Sequence, residues 1–172
     1  MTAKMLRNQV LKDGTLLSLS LATLITITFL INPEIWVHDY PPDIQEKFGP
    51  KSEKAKKQTT LVAIPFFLLL IGLVVRSNLM LKRENDGVLP FKIAFLNTYG
   101  LFAYFWLFDL VLMDWLIFVT LKPSIIVLPG TEGAAGYDDY AFHLKAALPA
   151  LPLMAVPSLL IAAFTYGRSP KL

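Results

Sequence analysis

FKIAFLNTYGLFAYFWLFDLVLMDWLIFVTL, residues 91–121, is the stretch that decides the class of this protein. After Lys92 it carries only two charged side chains, Asp109 and Asp114, before Lys122. It is longer than the roughly 20 apolar residues that one bilayer crossing needs. Such a run must tilt, project from the bilayer or begin as an interfacial segment.

Three further apolar runs flank it. One lies between Thr15 and Ile31, one between Thr59 and Met80, and one between Tyr140 and Tyr166. Of the 172 residues, 55% are hydrophobic and 17% charged, and the charges collect between the runs. A soluble domain carries about a quarter charged residues, spread over its surface. The pattern predicts an all-α integral membrane four-helix bundle, one transmembrane domain covering 1–172. Spans are expected at about 15–31, 59–80, 93–120 and 141–166, with an ordered extramembrane cap built from 32–58 and 122–139.

The basic start before the first run resembles the layout of a signal peptide. That run ends at Asn32-Pro33-Glu34 without a small-x-small cleavage pattern, so it reads as a signal-anchor helix. Ser18, Ala22 and Thr26 recur every four residues and form a ridge of small side chains, which lets helices approach closely in lipid. In 32–58, Trp36 and Tyr40 suggest headgroup contact, and Pro41-Pro42 ends any helix. Pro65 and Gly72 predict a kink in the second span. Pro152 and Pro157 in the fourth leave the carbonyls of Leu148 and Leu153 for neighbouring helices or water. The glycines of 122–139 match no nucleotide-binding loop; the segment reads as mobile or closely folded.

Four spans put both termini on one side. That side carries Lys4, Arg7, Lys12, Arg76, Lys82, Arg83, Lys92, Arg168 and Lys171, nine basic residues. The other carries seven: Lys47, Lys51, Lys54, Lys56, Lys57, Lys122 and Lys145. The positive-inside rule then predicts cytoplasmic termini, by a narrow margin. The five lysines before the second span argue the other way, as a cluster suited to anionic lipid. Compact loops and the lack of an organelle signal point to a prokaryotic plasma membrane. The net charge of +3 is accounted for by these flanking residues, and no basic run interleaved with aromatics suggests nucleic acid. With no cysteine, thiol catalysis, thiolate metal sites and disulfides are excluded.

Asp109 is the first chemical candidate. A carboxylate at mid-span costs at least about 2.5–3.5 kcal/mol on insertion scales, so it marks function or an interhelical hydrogen bond to a Ser or Thr of the first span. Asn97 and Thr98 are the other intramembrane polar residues of its run, and Thr98, Phe102, Phe105 and Asp109 share an α-helical face. At ~100° per residue, Asp114 points ~140° away from Asp109, too far round for a close carboxylate pair. The aromatics of the third run read as packing or lipid-facing residues. The second candidate is a set expected on one side of the membrane: His38, Asp39, Asp114, Asp139 and His143. Asp139 and His143 are four apart, on one face of a helix. Imidazole with carboxylates suits a metal or a His general base oriented by Asp. The same residue types are ordinary in exposed loops, and neither a metal nor a cofactor is specified.

Three functions fit: a non-enzymatic subunit or binding component, a small proton-coupled transporter component using Asp109, and a metal-dependent membrane enzyme with the interfacial His/Asp site. The expected partners are membrane lipids, with a membrane-protein partner or a second copy of the chain.

Overall fold

The computed structural model describes residues 3–167. Arg168 and Lys171, both used in the charge comparison, lie outside them. Four helices have the length and composition to cross a bilayer: Ala3–Ile31, Glu53–Glu84, Phe91–Leu121 and Tyr140–Thr165. Among the described residues there is no strand, only one bridge between Leu89 and Gly167. The chain is an all-α, integral membrane four-helix bundle with an ordered cap. The helices present apolar side chains outward: Phe164 is 87% exposed and Leu68 69%, surfaces that lipid covers at no cost and water would not.

The first helix, α1 (Ala3–Ile31), starts within the polar N-terminal stretch. A 3₁₀ turn, Pro33–Asp39, follows it, capped by Asn32, whose side chain accepts from Glu34 N. Then come α2 (Pro42–Phe48) and α3 (Glu53–Glu84), which passes Pro65 as one helix. The third span begins as α4 (Phe91–Phe108) and changes at Asp109 to a π-helix, Asp109–Leu121. A second 3₁₀ turn, Ala135–Asp138, leads to α5 (Tyr140–Ala147), α6 (Ala150–Leu153) and α7 (Ala155–Thr165). The fourth span is therefore broken twice, near Pro149 and at Met154, three residues before Pro157.

The chain forms two compact units. The first comprises residues 3–20, 67–107 and 149–167. Here α1 meets α4 at glycines: a side chain at Gly14 would run into the Tyr104 ring, and Gly100 lies against Val10. A polar network sits among Leu81, Ala94, Leu101 and Ala162 in the buried interior. Asn78 donates to Thr98 Oγ1 and Thr165 Oγ1, both at 2.9 Å. Asn97 donates to Ser77 Oγ at 2.9 Å and Asn78 Oδ1 at 3.0 Å. In an apolar span these amides have only each other and the hydroxyls, so they tie α3, α4 and α7 together. A neighbouring helix does reach a carbonyl of the broken fourth span, but two residues before Leu153 and not at either of the two carbonyls expected from sequence: Tyr99 OH donates to Leu151 O at 3.2 Å.

The second unit comprises residues 21–66 and 108–148, and holds the cap. Its core joins Val37, Tyr40 and Ile44 from one cap segment to Ile126, Leu128, Ala134 and Tyr137 from the other, with Phe118 and Val119 of the π-helix. Tyr40 therefore corrects a reading made from sequence. It is 1% exposed and donates to Ile126 O at 2.8 Å, a core residue and not a headgroup contact. Its ring meets Phe118 edge-on at 5.0 Å and Tyr137 at 6.2 Å. The segment 122–139 is closely folded. Tyr137 OH accepts from Leu128 N at 2.9 Å and pairs with Thr131 Oγ1 at 2.7 Å. Asp43 Oδ2 accepts from Gly136 N at 2.9 Å, fastening α2 to the second 3₁₀ turn.

Candidate functional site

The site lies within the second unit. It begins with the π-helix, in which backbone N–H groups bond five residues back. Lys122 N donates to Ile117 O at 3.0 Å, and the Thr120 hydroxyl donates to Trp115 O at 2.7 Å. In this register, residues five apart lie on successive turns of nearly the same face, whereas an α-helix would turn them away from each other. The inference from α-helical geometry that Asp109 and Asp114 point apart is thereby overturned. The two carboxyls act on each other, and Asp39 and His143 act on Asp109 as well. The expected hydrogen bond from Asp109 to a Ser or Thr of α1 is absent among the described residues.

α5 supplies the imidazole. Asp139 Oδ1 accepts from Phe142 N at 2.9 Å and starts that helix as its N-cap. Asp139 is exposed and occupied with this structural role. One turn on, His143 is 5% exposed, held between Phe118 (ring centroids 4.8 Å apart) and Phe142 (5.4 Å). Its Nδ1 lies 3.3 Å from Asp114 Oδ1. A carboxylate beside Nδ1 favours the proton on that nitrogen and leaves the Nε2 lone pair free. That Nε2 is buried and has no hydrogen-bond partner. Trp115 Nε1 donates to Tyr140 O at 3.1 Å, holding α5 on the π-helix just above the pair.

The 3₁₀ turn supplies Asp39. The residue reaches solvent, yet the protein packed around its carboxyl raises it above the ordinary carboxylate range, chiefly by partial desolvation. Lys51 opposes the shift, Asp114 adds to it, and His38 opposes it. Lys51 is buried, 7% exposed, and its Nζ donates to Ile35 O at 2.7 Å and Thr59 Oγ1 at 3.0 Å. Burial lowers its pKa, while Asp39 and Glu34 hold it up. Sequence reading counted Lys51 only among the topology lysines; a lysine after Gly-Pro gives no sign that it will be buried. Burial also pushes the Tyr40 phenol up, with Tyr137 and Asp39 adding to it.

Of the residues singled out from sequence, Asp39, Asp109, Asp114 and His143 lie within electrostatic reach of one another. His38 remains exposed, its carbonyl accepting from Gln45 Nε2 at 3.2 Å. Asp139 is a helix cap, and Asn97 and Thr98 belong to the polar network of the first unit. Among the described residues no three His, Asp or Glu side chains are placed to hold a metal ion. What the arrangement offers is three carboxyls and an imidazole close enough to interact by charge, with one direct His143–Asp114 contact. No protein-family model matches the chain, and neither a curated protein nor a solved structure matches it.

Proposed function

We propose that this membrane protein is a small proton-handling component, in which Asp39, Asp109, Asp114 and His143 take up and release protons where the third span meets the cap. The observation that carries the reading is the His143–Asp114 pair, with Asp109 five residues before Asp114 on the π-helix and Asp39 within electrostatic reach of both carboxyls. Chains of Asp and His at membrane depth are the side-chain equipment of proton relays, and their insertion cost is not otherwise repaid. The protein acts as a subunit or binding component, with a membrane-protein partner or a second copy of itself. The general-base reading draws on the same His143 geometry, but its metal-dependent form has no ligand set among the described residues.

The test is proton flux. The full chain is reconstituted in vesicles with an internal pH dye, and a pH step is applied with the potential clamped. The wild-type protein is expected to relax the internal pH faster than vesicles carrying Asp109→Asn or Asp114→Asn. Equal rates for all three, matching protein-free vesicles, would sink the reading.

The same proposal places the chain in a prokaryotic plasma membrane with cytoplasmic termini, on the distribution of Lys and Arg. Since the chain has no cysteine, single substitutions report topology cleanly. Ser52, Asp86 and Glu132 are exposed positions for this purpose. Labelling by an impermeant thiol reagent at positions 52 and 132 but not 86 is the expected result, and the reverse pattern would invert the orientation.

A further inference from the structure

Where α3 enters the bilayer, its first turns carry Lys54 and Lys57, both exposed. Among the described residues neither side chain makes a hydrogen bond or an ion pair. Their neighbours Glu53 and Lys56 are engaged with each other at 2.7 Å. Continuing down the helix at three- and four-residue steps, the same face presents Leu61, 65% exposed, and Ile64, 57% exposed. At ~100° per residue, Lys54, Lys57, Leu61 and Ile64 fall within roughly 80° of helix surface. Two free cations therefore stand directly above an apolar strip that only acyl chains cover.

The heights agree with the dimensions of a bilayer. Lys57 lies about 6 Å and Lys54 about 10 Å along the axis from Leu61. The headgroup layer outside the hydrocarbon core is about 5–7 Å thick on each side. Lysine stems reach several ångströms further and can snorkel towards it. We infer that Lys54 and Lys57 bind the phosphate-bearing headgroup of an anionic phospholipid whose acyl chain lies along Leu61 and Ile64. Two ammonium groups i,i+3 on one face match a phosphodiester carrying net negative charge. A zwitterionic lipid offers the same phosphate but brings its own cation into the pair.

The absence of native cysteine makes the test local. Ile64→Cys is labelled with a short-linker fluorophore, and the full chain is reconstituted in vesicles that contain acyl-brominated phosphatidylglycerol or acyl-brominated phosphatidylcholine as quencher. Quenching at position 64 measures which lipid occupies this strip. Phosphatidylglycerol is expected to be preferred by roughly 25-fold, since each of the two surface lysines contributes roughly a factor of five. The preference should fall to about one in K54Q/K57Q and survive in K54R/K57R, which keeps both charges. Added glycerol 3-phosphate should leave it unchanged. No preference in the wild type, or a preference that persists in K54Q/K57Q, overturns the inference. Loss of the preference on adding glycerol 3-phosphate also overturns it, by showing a site for free phosphate.

Discussion

Replacing Tyr137 by Phe removes one oxygen from the centre of the cap and leaves its shape unchanged. The residue is 3% exposed, so no water replaces what is lost. Two groups lose their partner at once: the amide of Leu128, now 2.9 Å from the phenol, and the hydroxyl of Thr131, at 2.7 Å. The Thr131 hydroxyl keeps its bond to Leu128 O at 2.7 Å, so its loss is partial. The Leu128 amide has no such second bond and pays the full desolvation cost of a buried donor, about 1–3 kcal/mol. With the Thr131 contribution, the cap should be destabilised by roughly 2–4 kcal/mol. The packing of Tyr137 on Phe118, with ring centroids 5.7 Å apart, survives the change, so little of the loss is hydrophobic. The assay is hydrogen exchange at Leu128. Where exchange proceeds through local opening, 2–4 kcal/mol corresponds to a roughly 30- to 700-fold faster rate. Rates within threefold of wild type would refute the claim that this phenol organises the cap.

Gly136→Ala places a methyl group against Pro41 and the Asp43 carboxylate. It should cost about 1–3 kcal/mol by overpacking and weaken the Asp43–Gly136 bond, seen as a lower thermal midpoint that Pro42→Ala does not reproduce. Asn78→Leu removes three interhelical hydrogen bonds, worth about 0.6–2 kcal/mol each in a membrane, so a loss of roughly 2–6 kcal/mol is expected in unfolding from mild detergent. Asp39→Asn acts with pH. Because the folded carboxyl binds its proton more tightly than the unfolded one, its contribution to stability is full below the ordinary carboxylate pKa and is lost as pH rises through the raised folded value. The variant should therefore be more stable than wild type near pH 7 and no different near pH 3. Thermal unfolding at the two pH values checks the sign.

The spans were legible because lipid selects on composition, and long apolar runs leave no other soluble reading. The cap was legible only in outline. Tyr40 could be a headgroup anchor or a core residue on sequence alone, and what decides is its packing partner, Tyr137, almost a hundred residues on. Asp139 before a helical segment is an ordinary N-cap signal, and taking it as a site residue overlooked that signal. The α-helical period failed at Asp109, since nothing in local propensity marks a change to i→i+5 bonding. With that change, two acids read as strangers became neighbours. Ser77, Asn78 and Thr165 were passed over because isolated small polar residues are common in spans, and only their convergence on Asn97 and Thr98 gives them meaning.

The central claim is that the Asp39 carboxyl of the cap is raised and responds to the charges of Asp114 and Lys51. Carboxyl ¹³C NMR of aspartate-labelled protein in lipid nanodiscs measures this directly, with the Asp39 resonance assigned through Asp39→Asn. The account predicts that Asp39 titrates above the ordinary carboxylate range, that its midpoint falls in Asp114→Asn, and that it rises in Lys51→Gln. An Asp39 midpoint at the ordinary value, unmoved by either substitution, would contradict it.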